Sequence, residues 1–345
     1  MKVQKNLNKI NFLKKIFIKI CRKFGFEIID QSNFYIPTQE KNLNENLSIP
    51  KIKSIIIPLG ETKITRPVNE LTIIFRSCTS IKMLTQKKNR LFEKDKQEYT
   101  FRSLNSIIKS LNYAKRYFSK TKFKIVVIDH NSKNEHLDQI KNQLDRSNVE
   151  YNIINLNINE FSNKIKKTNA KNEIVTANQI SNMSNIYKSL IEAKNHCKDL
   201  IYFVEDDYIH EVKAINEMIF TYERLSSQIK KELILCPTDY PYLYSNIDAT
   251  NIFLGLNKHW RKIDQSLCTF LTSKKMLEKH WLKFVSMCEF EHYPFETPLH
   301  EIYKTEYCLS PIPSLALHCT NINSIFGISP NIEWKKLWDN NNDYK

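Results

Sequence analysis

Three consecutive carboxylates, Glu205, Asp206 and Asp207, directly follow the apolar run Leu200–Val204. An apolar run this short between helical patterns predicts a buried parallel strand, and ligands of open α/β sheets bind outside the carboxyl ends of such strands. Three adjacent acids repel one another and lose solvation unless a cation compensates them. Mg²⁺ and Mn²⁺ accept carboxylate oxygens together with substrate phosphates. The triplet therefore predicts a divalent-ion site for a phosphorylated substrate. The alternative is a solvated turn in which one acid caps the following helix.

Glycine usage narrows the ways in which the chain can hold phosphate. Only Gly25, Gly60, Gly255 and Gly327 occur, and they are far apart. Neither a G-x-G-x-x-G fingerprint nor a Walker A loop can be assembled from them. Phosphate must then be held by a metal, by basic side chains or by helix N-termini. This favours a metal at the acidic triplet.

The elements that must position the triplet alternate between strand and helix patterns. Strands are predicted at Leu71–Phe75, Phe123–Ile128, Tyr151–Ile154 and Leu233–Cys236, and helices at Tyr99–Phe118, Ser181–Cys197 and Val212–Tyr222. Such alternation predicts an α/β fold with a mainly parallel sheet flanked by helices. Later segments are less regular: one or two strands within Asn251–Leu271, a helix over Lys274–Met287, a loop entering a helix at Pro294–Tyr303, and aperiodic chain over Pro311–Trp338.

The N-terminal region is basic and amphipathic. Apolar residues recur at helical spacing from Lys9 to Phe24, with lysine and arginine on the remaining positions. This pattern indicates either attachment to a membrane surface or packing on the main domain with a solvated lysine face. The stretch Asp30–Leu47 is polar and predicts a linker, and Ser54–Pro58 predicts a short edge strand. We therefore divide the chain into a helix and linker (1–50), an α/β half that carries the acidic triplet (51–241), and a less regular second half of the same domain (242–345).

Composition limits the class of protein. The chain has 345 residues, 41% of them hydrophobic, and no apolar run long enough to span a bilayer or to form a cleavable signal. Eight scattered cysteines form no C-x-x-C pair, which indicates a reducing cytoplasm. The net charge of +15 suits a nucleic-acid binder or an anionic membrane surface, although lysine-rich composition also follows from AT-rich coding. No nucleic-acid-binding motif occurs, so no nucleic-acid partner is expected.

These motifs together resemble the GT-A glycosyltransferases, in particular the family 2-like enzymes that use nucleotide sugars. The resemblance covers roughly Leu71–Trp338 and rests on a strand leading to Arg76, a strand ending in Asp129-His-Asn-Ser132, and Phe203-Val-Glu-Asp-Asp-Tyr208 at the D-x-D position. It implies a GT-A type, Rossmann-like sheet and a metal-dependent transfer of sugar from a nucleotide-diphosphate donor to a glycan or glycolipid. Residues 51–241 would then be the half that binds the nucleotide sugar, and residues 242–345 the acceptor-side half of the same catalytic domain. Placement at the inner face of the cytoplasmic membrane and a part in polysaccharide assembly would suit it.

The resemblance also implies roles for single residues. Asp207 would be the main ligand of Mn²⁺ or Mg²⁺, and His318, in Leu317-His-Cys-Thr320, would complete the metal–diphosphate site. Residues implied in donor binding are Arg76, Asp129, Asn131, Glu205 and Asp206. A lone histidine is otherwise often a structural group. The chain departs from the family pattern because Glu205 replaces the first Asp and no clear catalytic Glu-Asp or Asp-x-x-x-Trp signature follows.

If the transfer inverts, as we expect, a carboxylate must deprotonate the acceptor hydroxyl. Candidates in the second half are Asp239, Asp264, Glu296 and Glu301; we favour Glu296, at a predicted helix start, over Asp264, which lies near Arg261. A first-turn acid and a surface ion pair are their structural alternatives. Tyr242, Tyr244 and Trp260 are candidates for stacking on an acceptor sugar, although buried aromatics are more often core.

Two other functions fit parts of the pattern. A nucleotidyltransferase on a similar sheet would normally show a Gly-rich basic loop after the first strand, and Arg76–Leu84 contains no glycine. A non-enzymatic protein that binds membrane or nucleic-acid surfaces would use the acidic triplet only as a helix cap. Such a protein would show strongly salt-dependent binding and no divalent-dependent nucleotide binding.

Overall fold

The computed structural model describes residues 12–28, 54–57, 60–80, 91–245, 247, 249–320 and 322–344. The chain divides into two compact units, Met1–Lys63 and Ile64–Lys345. The first contains helix α1 (Phe12–Lys23) and the antiparallel pair β1 (Ser54–Ile57) and β2 (Gly60–Lys63), which confirms the predicted helix and strand. The predicted linker lies outside the described residues. No described helix is both long and apolar enough to cross a bilayer.

Helix α1 exposes a continuous apolar face. Phe12, Leu13 and Phe17 are more than half exposed, and Ile16 and Ile20 are 39% and 48% exposed. A soluble-domain helix normally buries such a stripe against the core.

The second unit contains eleven strands and eight helices among its described residues. The strands are β3 (Glu70–Ser77), β4 (Lys122–Asp129), β5 (Glu150–Asn155), β6 (Leu200–Glu205), β7 (Tyr208–His210), β8 (Leu233–Leu235), β9 (Ile252–Leu254), β10 (His259–Ile263), β11 (Phe270–Ser273), β12 (Tyr307–Ile312) and β13 (Ala316–His318). The helices are α2 (Lys96–Lys115), α3 (Asn134–Asp145), α4 (Ala177–His196), α5 (Ala214–Ile229), α6 (Lys274–Lys279), α7 (Trp281–Glu289), α8 (Thr297–Tyr303) and α9 (Trp334–Asp339).

Nine of these strands form one sheet, in the order β5-β4-β3-β6-β11-β8-β12-β10-β9. Strand pairings make seven of the nine run in one direction, with only β10 and β11 reversed. The predicted α/β fold with a mainly parallel sheet is confirmed. Because β3 pairs in parallel with both β4 and β6, the carboxyl ends of these three strands meet at one edge.

The central strands are buried on both faces, which explains their uninterrupted apolar sequences. Ile73 and Phe75 of β3 pack in the core cluster that includes α2 and α5, whereas Ile74 packs in the cluster on the other face, with α4, α7 and α8. The same alternation places Tyr202 and Phe203 of β6 on opposite faces. The sheet is thus a middle layer that holds its strand ends rigidly.

The structure differs from the predicted elements in the second half. Three strands, β9, β10 and β11, occupy the segment predicted to hold one or two. The single predicted helix is two, because His280 leaves helical geometry between α6 and α7 and its Nε2 lies 2.7 Å from Glu306 Oε1. The prediction of aperiodic chain over Pro311–Trp338 is wrong, because that range contains β13 and most of α9. Strand β12 was not predicted either, nor, in the first half, were β2, α3 and β7. Strands β7 and β13 are short pieces that only tertiary pairing stabilises.

Candidate functional site

The strand ends bring Arg76, Asp129 and Glu205 to one edge of the sheet. In the parallel register, Arg76 pairs with Glu205, and Ser77 pairs with Asp129. The Arg76 guanidinium lies 2.9 Å from Glu205 Oε1 and donates to Asn182 Oδ1 at 3.1 Å. The last residues of β3 and β6 therefore include an arginine and a glutamate that form an ion pair at this edge.

The second acid of the triplet contacts helix α2. The Lys96 ammonium forms an ion pair with the Asp206 carboxylate, and Thr100 Oγ1 donates to Asp206 Oδ2 at 2.8 Å. The Cys78 amide also points to Asp206 Oδ2, at 3.4 Å. Lys96 is the first residue of α2, so the positive end of that helix faces the acid.

The third acid meets a segment more than a hundred residues later in the chain. Strand β13 pairs with β7 so that His318 lies opposite Tyr208, and the two rings stack at 4.7 Å. This places His318 Nε2 3.5 Å from Asp207 Oδ2. Thr320 Oγ1 donates to the same oxygen at 2.7 Å and lies 2.8 Å from His318 Nε2. Asp207 and His318, predicted to share a metal, are therefore neighbours.

The electrostatics of this pair favour charge on both partners. Burial alone would raise the pKa of Asp207, but His318 and Lys96 outweigh it and hold that pKa well below its usual range. Burial alone would lower the pKa of His318, but the Asp207 carboxylate outweighs it and the pKa is raised. His318 Nδ1 lies 2.9 Å from the carbonyl of Phe326, to which it can donate. The ring is therefore held at both nitrogens.

Each acid of the triplet has a protein cation of its own: Arg76 for Glu205, Lys96 for Asp206 and His318 for Asp207. The repulsion expected among the three carboxylates is thus compensated within the protein. Asp207 Oδ1 is the exception, because it is buried and has no hydrogen-bond partner among the described residues. A buried carboxylate oxygen without a partner is costly, and a bound cation would satisfy it.

Other ligands for an ion are few. Within the described ranges, no group of three or more His, Cys, Asp or Glu side chains is placed to hold a metal. Asp207 offers a carboxylate, which suits Mg²⁺ and Mn²⁺, and His318 offers an imidazole, which suits zinc, iron and other transition metals. An ion held by these two residues would need substrate oxygens or water for its remaining positions.

The turn after β4 is fastened by its own side chains. Ser77 Oγ and Ser132 Oγ each donate to Asp129 Oδ1 at 2.6 Å, and the Ser132 amide donates to Oδ2 at 3.1 Å. Asp129 is only 2% exposed, so its carboxylate serves first to shape this turn. Asn131 is exposed and has a φ of 59°, a left-handed conformation that Asn tolerates well.

Glu296 lies on the same side of the sheet as the triplet. Thr269 Oγ1 accepts from the Glu205 amide at 3.1 Å, and the adjacent Cys268 Sγ lies 4.0 Å from Glu296 Oε1. Burial raises the pKa of the Cys268 thiol, and the carboxylates of Glu296 and Glu205 raise it further. Glu296 and Glu205 are therefore both within electrostatic range of the Cys268 thiol.

The other candidate acids are placed differently. Asp264 is exposed, and the ion pair suggested for it does not form, because Arg261 binds Asp239 instead. Asp239 is completely buried and also accepts from Tyr244 at 2.5 Å. Glu301 is a surface residue paired with Lys304 at 2.5 Å.

The aromatic residues proposed for the acceptor have mostly structural roles. Trp260 is completely buried and donates its indole N–H to Glu217 Oε1 at 3.2 Å, so the predicted sugar contact is wrong for this residue. Tyr242 is partly buried and donates to the carbonyl of Gln265 at 2.6 Å. Tyr244 is 52% exposed, with Arg261 4.5 Å from its ring centre.

Sequence reasoning missed four residues of the site: Lys96, Thr100, Asn182 and Thr320. Lys96 stands in a charged stretch, Glu93-Lys-Asp-Lys96, that carries no local signal for a buried contact. Thr320 could have been predicted, because it follows His318 by two residues and residues two apart in extended chain point to the same side.

No protein-family model and no curated protein matches the chain. Among solved structures it is similar to the WbbM bifunctional glycosyltransferase, at 10% identity and a TM-score of 0.35, over 66% of this chain and 36% of that one. It is similar to the glycosyltransferase GlyE of Streptococcus pneumoniae TIGR4, at 10% identity and a TM-score of 0.38, over 80% and 63%. A UDP-glucose pyrophosphorylase complexed with UDP-glucose gives 6% identity and a TM-score of 0.38, over 73% and 93%.

Glycosyltransferases of the kind that the sequence motifs resemble are therefore found among the similar structures, and so are nucleotidyltransferases. The chain spans about a third of the length of WbbM. Scores at this level assign neither activity. The choice between the two rests on the residues at the sheet edge.

Proposed function

We propose that this chain is a metal-dependent glycosyltransferase that moves a sugar from a nucleotide-diphosphate donor to a glycan or glycolipid acceptor. The observation that carries the proposal is the Asp207–His318 pair at the end of β6, with Asp207 Oδ1 buried and without a hydrogen-bond partner among the described residues. A carboxylate and an imidazole beside two further cationic side chains form a site suited to a diphosphate and its metal.

Asp207 and His318 would hold Mn²⁺ or Mg²⁺. Phe326 holds the ring through Nδ1, so the ion would replace the contacts that Nε2 makes with Asp207 and Thr320, and its binding there would release the proton of that nitrogen. When bound, the ion would neutralise the charge that develops on the leaving diphosphate. Arg76 and Lys96 lie beside this pair, but each is paired with an acid of the triplet, so they would reach the diphosphate only by exchanging those ion pairs.

The remaining donor contacts would come from residues at the carboxyl ends of β4 and β6. Glu205 and Asp206 would orient the sugar and ribose from their anchored positions, and Asn131 would contribute from the exposed turn that Asp129 shapes. Asp129 itself would reach the nucleotide only if its bonds to Ser77 and Ser132 were exchanged.

An inverting transfer needs a base on the acceptor side, and we assign that role to Glu296. Its supporting contact is the Cys268–Thr269 segment, which touches both Glu296 and Glu205. Asp264 is the second candidate. Asp264 is exposed to solvent, so an acceptor hydroxyl bound beside it would remain open to water.

The exposed face of α1 supports a peripheral membrane contact. Phe12, Leu13 and Phe17 would enter the interface, and Arg22 and Lys23 in the last turn would face anionic headgroups. The protein would then work in the cytoplasm at the inner face of the membrane, where polysaccharide and glycolipid acceptors are assembled.

Calorimetry with UDP and GDP, with and without Mn²⁺, tests the proposal on the wild type and on Asp207→Ala. We expect Mn²⁺-dependent binding of one nucleotide in the wild type and none in Asp207→Ala. If neither binds, CDP, dTDP and CMP are tested in the same way. Failure of all of them would refute the donor site.

A second assay separates the two enzyme classes. A nucleotidyltransferase would release pyrophosphate from a nucleoside triphosphate and a sugar phosphate, whereas a glycosyltransferase would release a nucleoside diphosphate from a nucleotide sugar. We expect only the second reaction.

A further inference from the structure

A separate cavity of about 650 Å³ opens at the opposite edge of the sheet, where β3, β4 and β6 begin. Glu70 of β3 is in register with Lys122 of β4, and Leu71 is in register with Leu200 of β6, so the starts of the three strands form its base. The seven residue steps of β3 put this edge roughly 23 Å from the candidate active site.

Cations dominate the lining of this cavity. Six of its residues are basic and two are acidic, the acids being Glu70 and Asp199; the basic residues are Arg66, Lys120, Lys122, Lys198, Lys274 and Lys275. A concave lining with this imbalance raises the local concentration of anions.

The two acids are already engaged. Asp199 accepts from Arg66 at 2.5 Å and from the Asn69 amide at 2.8 Å, and Glu70 accepts from the Lys198 amide at 3.0 Å. Glu232, just outside the lining, also binds Arg66. Arg66 is therefore a structural cation that ties the acids to the base of the cavity.

The lysines are not neutralised in this way. Lys275 reaches Glu232 only at 3.8 Å and is 77% exposed. The other four lysines of the lining have no ion pair with any residue that the structure describes. The nearby Glu150 is paired with Lys124, at 2.8 Å, and not with Lys122 or Lys198.

A solvated lysine near a helix C-terminus is favourable by itself, and this effect is sufficient to account for a single lysine at this edge of an α/β sheet. It does not account for four lysines that surround one cavity without an ion pair to any described residue while both lining acids are engaged. The positive charges of lysines around one cavity repel one another, and a multiply charged anion bound between them would offset that repulsion.

We propose that this cavity is a second binding site, specific for anions that carry clustered phosphate groups. Lysine ammoniums bind phosphate as point charges, and a cavity of this size accommodates a small multiphosphate or a phosphorylated headgroup. The anion could be free in solution or part of a membrane lipid. This proposal does not depend on the glycosyltransferase activity.

The first test uses inorganic tripolyphosphate in the presence of EDTA, so that no metal contributes at Asp207. Calorimetry compares the wild type with a cavity variant, Lys122→Gln/Lys198→Gln/Lys274→Gln. The matched control, Lys141→Gln/Lys167→Gln/Lys213→Gln, removes three exposed lysines that also have no ion pair among the described residues. Equal thermal unfolding midpoints of the two variants verify that both fold.

We expect the cavity variant to bind tripolyphosphate about tenfold more weakly or worse, and the control to bind like the wild type. The second arm measures sedimentation with vesicles of phosphatidylcholine that contain phosphatidic acid. Since both variants retain α1, a difference between them reports the cavity. If the cavity variant loses only tripolyphosphate binding, the ligand is a free anion. If it loses vesicle binding, the ligand is a lipid headgroup. Equal behaviour of the two variants in both arms would overturn the proposal.

Discussion

Replacing the two adjacent aspartates one at a time should separate a metal ligand from a structural acid. Asp207 Oδ1 is buried and has no hydrogen-bond partner in the part of the chain that the structure describes, whereas both oxygens of Asp206 bind protein groups, Lys96 and Thr100. Asp207→Asn should therefore remove most of the stabilisation by Mn²⁺. Asp206→Asn should retain the stabilisation by Mn²⁺ but lower the stability of the metal-free protein.

The magnitudes follow from linkage. Mn²⁺ at a hundredfold excess over its Kd stabilises the folded state by about 2.7 kcal/mol, which is roughly 5 °C in Tm for a protein of this size. A hundredfold loss of affinity in Asp207→Asn leaves about 0.4 kcal/mol at the same concentration, or roughly 1 °C. Asp206→Asn removes a charged partner from Lys96, which costs about 1–3 kcal/mol with or without the ion.

Differential scanning calorimetry of the three proteins, with Mn²⁺ and with EDTA, measures both effects. The reasoning is refuted if Asp207→Asn shows the same Mn²⁺ shift as the wild type. It is equally refuted if Asp206→Asn loses that shift, because Asp206 would then be a ligand in spite of its bonds to Lys96 and Thr100.

Three further outcomes are expected. Glu296→Gln should lower kcat by about 10²-fold or more while donor binding is unchanged, whereas Asp264→Asn should stay near wild type; the reverse result in steady-state assays would exchange their roles. Burial lowers the pKa of His210 to about 3, so below pH 6.5 the unfolded chain binds a proton that the folded chain does not. Between pH 7.5 and pH 5 the free energy of unfolding should fall by about 2 kcal/mol more for the wild type than for His210→Gln in urea titrations, and equal falls would contradict this. The buried Glu217 carboxylate accepts from the amides of Leu256 and Asn257 and from Trp260, so Glu217→Gln should cost about 3 kcal/mol in the same titrations, and the exposed Glu278→Gln almost nothing.

The local sequence was sufficient for the elements that carry the site. Strands β3, β4 and β6 are buried on both faces, so their apolar runs are continuous and end where the charged residues begin. Parallel pairing then requires their carboxyl ends to share an edge, and Arg76, Asp129 and Glu205 meet there as expected. The α/β class and the approximate position of the acidic triplet needed nothing more than these patterns.

Local patterns were insufficient where short segments depend on distant partners. Trp260 stands in an irregular aromatic stretch, and its burial against Glu217 follows from the packing of β10 against α5, 43 residues apart in sequence. The break at His280 accompanies its bond to Glu306, in the turn between α8 and β12. In each case the deciding contact is non-local, so no window of sequence contains it.

Within the candidate site, too, some features follow from the local sequence and others from contacts between distant segments. Sequence alone determined that three carboxylates follow a buried strand, because the residue types and the hydrophobic pattern are local. Only the tertiary structure decided which cation faces which acid. The packing of α2 brings Lys96 to Asp206, and the β7–β13 pairing brings His318 to Asp207. Those pairings depend on contacts between segments 110 residues or more apart, and they leave Asp207, of the three acids, with an oxygen that no described residue satisfies.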